Sequence, residues 1–423
     1  MNGYTLISCI GTGKEKEGEY ELTAYQFSEG VFEASFFLGA LLKSGKYTPI
    51  TEIILVGTLT SHWHLVLDDL IRINKAEEYT KLRLKIAVET RSPQGISEET
   101  LDKLGEVLSA EYGITFSIIA HTSDIDNSTV PEIFPFYNEL ISKIEPDTNI
   151  LLDITHAFRS IPLLIYQALQ FGFAGQSRRK VELVYGDFKK GRPSVARDLS
   201  EYWRLAALTE AKNLFANRLD GKLLAELLEK EWPKGSEIIS DFSTIVECNF
   251  SHEIPKWIRK AKQLPYKEDI PLPVQELREI IMEIITVLDK PYTSEALLAY
   301  ARFLETKALY VQSIITLQAA LETRAVEAYG TSDEIGYYDP FQKKYREIYL
   351  DELRKLGVYS QMFDIRDMRS KIAHGGTRDN DRKGRGTPPK PNLTAIRKIL
   401  DRSRESVDVF FNNVKPKPGT ELY

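Results

Sequence analysis

Cysteine is nearly missing, with two residues, Cys9 and Cys248, in a chain of 423. They stand far apart in apolar surroundings, so neither a disulfide framework nor a CxxC metal half-site is present, and a reducing, cytoplasmic location is the simple expectation. Long apolar runs are missing as well. None reaches the roughly 18–20 residues that a membrane span requires, so no membrane partner is expected. Met1–Ile10 leads straight into a strand-like pattern with no basic region or small-residue cleavage site, and no signal peptide is expected. Standard nucleotide loops are also lacking. GxxxxGK[ST] does not occur, and Gly11-Thr12-Gly13 lacks the third glycine of the dinucleotide fingerprint, which argues against a P-loop ATPase and a nicotinamide dehydrogenase. Neither charge sign dominates: 55 Lys+Arg against 61 Asp+Glu give a net charge of −6. With 43% hydrophobic and 27% charged residues, the composition excludes a disordered or collagen-like chain.

What is there divides into two textures, and at about 150 residues per domain the length suggests two or three domains. The first half alternates apolar runs with amphipathic stretches. Strands are expected at Thr5–Gly11, Glu52–Thr58, Leu82–Glu89, Ile114–His121, Asn149–Thr155 and Val181–Phe188. Helices are expected at Phe32–Lys43, Leu65–Glu77, Ser97–Glu111, Glu132–Ile144 and Ile161–Phe173. Most strand candidates are near-continuous Ile/Leu/Val, as in a sheet covered on both faces, and the βαβ order predicts an open, mostly parallel, Rossmann-like α/β domain. Val181–Phe188 and Ser194–Leu199 read as a hairpin. After about Asp198 the pattern turns all-helical: Glu201–Leu219, Leu223–Lys230, Glu237–Glu247, Val274–Leu288, Ser294–Tyr329, Gln342–Leu356, Tyr359–His374 and Leu393–Asn412. The expected division is 1–198, a helical connection 199–290, and 291–423.

Ligands of an open parallel sheet sit beyond the carboxyl ends of its strands. Three segments there carry small residues, hydroxyls and a base: Gly11-Thr12-Gly13-Lys14, Gly57–Trp63 and Asp153–Pro162. Such loops let backbone N–H groups approach an anion. The first also reads as a plain tight turn. His62 and His64 alternate with Trp63, and the segment suits ligand stacking or capping better than metal binding, because no third His, Cys or carboxylate stands near the two histidines. Ser160 is a plausible N-cap, with Pro162 tolerated in the first turn. Arg159 then lies at a positive helix end, either as an anion ligand or as a strut paired with Asp153.

In the helical half, Arg369 and His374 have the spacing R-x4-H. Chance alone supplies that spacing in roughly a third of chains of this make-up, so context carries it. The two residues lie about 7.5 Å apart along a helix axis, Gly375 is placed to stop the helix, and a basic loop follows. From Gly376 to Lys398 seven Lys/Arg meet two Asp, a net +5, which suits a polyanion or simply a solvated loop. Cleavage of RNA by its own 2′-OH needs a group that moves a proton near neutrality and a fixed cation for the phosphorane, which histidine and arginine supply. No carboxylate cluster suited to Mg²⁺ stands near His374. The alternative is a histidine satisfying helix carbonyls, with Arg369 ion-paired to Asp364 or Asp367.

The segment Leu151-Leu152-Asp153-Ile154-Thr155-His156-Ala157-Phe158-Arg159-Ser160 after an apolar strand resembles the CARF domains of type III CRISPR accessory proteins. It is closest to the Csx branch, with Ala157 where that branch carries Gly. The resemblance spans roughly the first 200 residues. It implies binding of cyclic oligoadenylate across a homodimer two-fold, with Gly11, Thr12, Thr58, Ser61, Thr155, His156 and Arg159 near phosphates or adenines. Arg369 and His374 at the end of a helix, behind the long Ser294–Tyr329 pattern, resemble a HEPN domain. The pair implies an endoribonuclease without a metal or other cofactor, activated by cyclic oligoadenylate with tetra-adenylate favoured over hexa-adenylate. Single-stranded RNA would be its substrate, 2′,3′-cyclic phosphate ends its products, and Arg366 and Lys371 candidate RNA contacts. Two other readings stay open: a cyclic-nucleotide sensor whose helical half docks a partner and cuts nothing, and a nuclease that also degrades its own ring.

Overall fold

Apolar β-strands in which odd and even residues are both buried must sit between two layers, and the N-terminal half is built that way. The computed structural model describes residues 3–11, 22–71, 77–121, 130–145, 148–156, 160–173, 180–188, 192–264, 272–330, 343–373 and 392–420. The chain divides into two compact units, Met1–Ala206 and Ala207–Tyr423.

The first unit runs β1 (Tyr4–Cys9), β2 (Thr23–Phe27), β3 (Gly30–Ala34), α1 (Phe37–Ser44), β4 (Ile50–Thr58), α2 (Trp63–Leu70), α3 (Glu77–Glu89), α4 (Glu98–Tyr112), β5 (Thr115–His121), α5 (Val130–Lys143), β6 (Asn149–Asp153), α6 (Ser160–Gly172), β7 (Val181–Asp187) and β8 (Ser194–Asp198). The described strands form one eight-stranded sheet in the order β3-β2-β8-β7-β6-β1-β4-β5. β7, β6, β1, β4 and β5 are parallel, while β8 returns antiparallel to β7 as the expected hairpin. Alternate residues feed the two faces. Leu6, Ile53, Leu55 and Leu151 join the core under α1, α2 and α4. Ile7, Ile54, Val56, Ile150 and Leu152 join the core under α5 and α6. This two-sided burial is why the strands read as unbroken apolar runs.

Three expectations are corrected. Leu82–Glu89 is not a strand but the body of α3. Its Leu82/Leu84/Ile86/Val88 alternation imitates a strand, yet only Leu82 and Ile86, one helical turn apart, are buried, while Leu84 and Val88 are 55% and 70% exposed. The polar residues between them prefer a helix: Lys81 pairs with Glu77 one turn back, and Arg83 grips Asp68 with two nitrogens at 2.6 and 2.8 Å. Phe32–Lys43 is not all helix, because β2 and β3 form a hairpin with register Phe27↔Gly30 that carries Phe32 into the sheet. Ser294–Tyr329 is two helices, since Ala308 adopts a left-handed φ of 57° between them. A helix at Ile254–Ala261 was not anticipated.

The second unit, which α7 (Ser200–Arg218) enters, contains α8 (Lys222–Leu228), α9 (Pro233–Cys248), α10 (Ile254–Ala261), α11 (Leu272–Leu288), α12 (Thr293–Thr306), α13 (Tyr310–Tyr329), α14 (Lys343–Lys355), α15 (Tyr359–Ala373) and α16 (Leu393–Asn413). It has two cores. One gathers Phe215, Trp232, Phe242, Trp257 and Ile281 from α7 to α11. The other gathers Leu317, Leu321, Tyr349, Met362, Met368, Leu400 and Phe410 from α13 to α16. α12 supplies Tyr300 and Leu304 to the first and Leu297, Leu298 and Ala301 to the second.

A charged cluster closes the second core. Arg324, 2% exposed, donates to the carbonyls of Val414 at 2.8 Å and Phe411 at 3.2 Å and to Glu295 at 3.2 Å. Glu327 is fully buried and accepts from the backbone N–H of Ser294 at 2.9 Å and from its hydroxyl. Burial lifts the Glu327 carboxyl to about 6 despite the Ser294 donors and Arg324. The cluster ties the start of α12 and the end of α16 to α13. Removing one partner strands a buried charge, so Glu327→Ala should cost about 3–5 kcal/mol of helical-unit stability. Urea denaturation followed by tryptophan fluorescence reads this, and a loss below about 1 kcal/mol would mean the carbonyl bonds to Arg324 suffice alone.

Candidate functional site

The strand order sets where a ligand can enter. The chain steps outward from β1 to β4 and β5, then returns to lay β6 and β7 on the other side of β1. β1 and β6 therefore flank the reversal, the position at which an open parallel sheet leaves a crevice beyond its carboxyl ends. The loop beginning at Gly11 and the segment Ile154-Thr155-His156 leave from these two strands.

One buried carboxylate joins the two strands. Asp153, the last residue of β6, is 0% exposed. It accepts from the Ser8 hydroxyl on β1 at 2.7 Å and from the backbone N–H of Thr155 at 2.9 Å. The Thr155 hydroxyl in turn accepts from the N–H of Gly186 on β7 at 2.9 Å. Burial pushes the Asp153 carboxyl up from 3.8 to about 6, against the donors on Thr155 and Ser8. His156, partly exposed, follows. Its Nε2 lies 3.3 Å from the Tyr25 hydroxyl on β2, the edge of Phe36 meets its ring at 5.3 Å, and burial lowers its pKa to about 4.

The loop after β4 is held by its own hydroxyls. Ser61 donates to the Ile10 carbonyl at 2.8 Å and accepts from the Thr58 N–H at 2.8 Å. His62 at the N-cap of α2 donates its backbone N–H to the Gly11 carbonyl at 3.2 Å. The Trp63 indole N–H donates to the Thr58 carbonyl at 2.9 Å. Gly57 makes room for that indole, because a Cβ there would stand 2.7 Å from it.

The expected ligand residues thus separate. Thr155, His156 and His62 reach the surface of the crevice. Gly11, Thr58, Ser61, Trp63 and Asp153 are buried. Trp63, at 0% exposure, is a fixture beneath the loop and not a stacking surface, which corrects that expectation. Asp153 likewise spends its oxygens on Ser8 and Thr155, so it shapes the turn instead of meeting a ligand. Ser160 is the first residue of α6 and not the residue before it. Thr12, Gly13 and Arg159 lie outside the described residues. Among the described residues no group of three His, Cys, Asp or Glu could hold a metal ion, and no helix is long and apolar enough to cross a membrane. Ser8, Tyr25, Phe36 and Gly186 were not anticipated. Tyr25 and Phe27 alternating before Ser28-Glu29-Gly30 was the available signal for the hairpin that delivers Tyr25.

In the second unit, Arg369 sits exposed one turn before the end of α15, and Arg366 and Lys371 are half-buried on the same helix. Lys371 pairs with Asp367 at 2.7 Å, and among the described residues Arg369 makes no ion pair. His374 and residues 375–391 lie outside the described residues.

The two titrating groups of the crevice pull stability in opposite directions. Folded Asp153 keeps its proton to about pH 6 while the unfolded chain releases it near 3.8, so its contribution is full at low pH and is lost as pH rises through 6. Folded His156 stays neutral down to about pH 4 while the unfolded ring protonates near 6.5, so its contribution is present at neutral pH and lost as pH falls. In Asp153→Asn the carboxyl's opposing contribution is removed while that of the histidine remains. The gain in stability between about pH 4 and 6 should then exceed the wild-type gain by about 2 kcal/mol in urea titrations. Parallel wild-type and variant profiles would show that the carboxyl titrates normally.

Residues 5–186 match the family described as CRISPR system endoribonuclease Csx1, CARF domain. Over 435 aligned residues the chain is 25% identical to the CRISPR-associated protein MJ1674 of Methanocaldococcus jannaschii, covering 93% of this chain and 65% of that protein. The chain thus spans 65% of the length of the curated relative it matches. Among solved structures it is similar to Enterococcus italicus Csm6 bound to cyclic hexa-2'-fluoro-hexa-dAMP, at 13% identity and a TM-score of 0.39, covering 98% of this chain and 96% of that one. The family match runs from β1 into β7 and takes in each strand whose carboxyl end borders the crevice. Residues 5–186, which carry the crevice, are thus similar to the CARF domain of the Csx1 family.

Proposed function

We propose that the protein is a homodimeric endoribonuclease that cuts single-stranded RNA without a metal and is switched on by cyclic oligoadenylate at its CARF domain. In this reading 1–198 binds the ring, 199–290 connects, and 291–423 is a HEPN-like nuclease domain with Arg369 and His374 as its catalytic pair. The observation that carries it is the joining of a CARF-like domain to a helical half in which Arg369 is exposed near the end of α15, five residues before His374.

The chemistry follows from those two residue types. His374 moves a proton as the RNA 2′-OH attacks the adjacent phosphorus. The P–O5′ bond breaks, the 5′-hydroxyl leaves with a proton, and a 2′,3′-cyclic phosphate remains. Arg369 stays charged throughout and holds the equatorial oxygens as negative charge builds on them. Pairing two subunits brings two copies of each residue to one site, and a two-fold ring suits a two-fold CARF dimer because each half meets identical loops. Activation requires the ring to bind the active arrangement more tightly than the inactive one.

Cleavage of a fluorescent single-stranded RNA in EDTA, with and without cyclic tetra- and hexa-adenylate, tests the whole reading. Cleavage should need one ring, tetra-adenylate being the expected activator, and should yield cyclic phosphate ends. His374→Ala and Arg369→Ala should each lower the rate at least about 100-fold while ring binding persists. Binding without cleavage under every condition would leave a sensor whose helical half docks a partner. Loss of intact ring during long incubation with His374→Ala protein would add ligand degradation to the CARF domain.

A further inference from the structure

His156 stands with His62 at the crevice surface, and its role depends on whether it meets a ligand as a cation or as a neutral ring. Its surroundings bear on that choice. Tyr25 is buried between Phe37, whose ring lies 5.1 Å away, and Gly186, where a Cβ would stand 2.8 Å from the tyrosine ring. The phenol is therefore held in place, with its oxygen 3.3 Å from Nε2 of His156. Thr23, two residues back on β2, hydrogen-bonds the same phenol oxygen. A threonine hydroxyl donating to that oxygen leaves the phenol's single proton for the imidazole. Phe36 closes the other side at 5.3 Å. It is fixed by Asp69 on α2, which accepts from the N–H groups of Ser35 at 2.7 Å and Phe36 at 3.2 Å.

We propose that Tyr25 donates to Nε2 of His156, fixes the imidazole as the neutral Nδ1–H tautomer, and so makes His156 a donor to an uncharged acceptor of the ligand, such as an adenine ring nitrogen or a ribose oxygen. Tyr25 is a positioning residue, acting through His156. Burial is what lowers the ring's proton affinity. The charged groups around this contact, Asp153 at the end of β6 and Asp69 on α2, act on the Tyr25 phenol, whose proton burial and both carboxylates hold more firmly. The ligand side of the proposal rests on the functional reading above, while the tautomer is a property of the ligand-free chain.

The test keeps the two apart. Long-range ¹H–¹⁵N spectra of the full chain with labelled histidine resolve its six imidazoles, and His156→Gln identifies the signal. At pH 7 and at pH 5.5 His156 should show a protonated Nδ1 and an unprotonated Nε2. Tyr25→Phe should move it toward the other tautomer, and Thr23→Val provides a second perturbation should Tyr25→Phe fold poorly. Titration with cyclic tetra- and hexa-adenylate should then give affinity that is flat between pH 5.5 and 8. His156→Gln should leave the salt dependence unchanged, and Tyr25→Phe should weaken binding about tenfold or less. An Nε2–H tautomer or an imidazolium at pH 7 would overturn the proposal whether or not any ring binds. Binding that strengthens on acidification and loses salt dependence in His156→Gln would show a cation on phosphate. If neither ring binds, the functional reading fails while the spectra still decide the tautomer.

Discussion

The crevice depends on a carboxylate sealed inside the sheet. Asp153 bonds sideways to Ser8 on the neighbouring strand and forward to the amide of Thr155. Thr155 then bonds to Gly186 on the strand beyond. Three parallel strands, β1, β6 and β7, are thereby laced together at the edge where a ligand enters. A buried acid is costly unless its lone pairs are satisfied, and here the cost is offset by donors that also define the path of the chain. The segment after β6 leaves the sheet in one geometry, which presents Thr155 and His156 side by side.

The loop after β4 solves the same problem with neutral groups. Ser61 reaches across to the Ile10 carbonyl, Thr58 leans on Ser61, and the Trp63 indole is wedged under Gly57. Hydroxyls and small residues, which as a sequence look like ligand chemistry, are here largely consumed in holding two loops together. What is left for a ligand are the groups these anchors position.

That distinction marks what the sequence made legible. The open parallel sheet, the hairpin at β7 and β8, the helical second half and the three loops at the strand ends all follow from periodicity and turn chemistry, which are local. The CARF resemblance rested on the run from Leu151 to Ser160, and the family match covers residues 5–186. α3 misled because Leu82, Leu84, Ile86 and Val88 satisfy a period of two, and only the partners Asp68 and Glu77 decide for a helix. Ser8, Tyr25 and Gly186 were invisible for another reason. Each matters through a residue more than a hundred, or in the case of Gly186 thirty-one, positions away, and no window along the chain contains such a pair. The burial of Trp63 and Asp153 was equally hidden, since composition says which residues can bind a ligand and packing says which are free to.

Helix α12 has a mechanical consequence of its own. It lends Tyr300 and Leu304 to one helical core and Leu297, Leu298 and Ala301 to the other, so it cannot roll about its axis without opening a gap on both sides. Close-packed interiors resist that kind of deformation. α12 is therefore a wall common to both cores, and a substitution that enlarges a side chain on one of its faces presses on the packing of the other. At Ala308 the chain reverses, so that α13 returns alongside α12 and brings Arg324 and Glu327 to the first residues of α12.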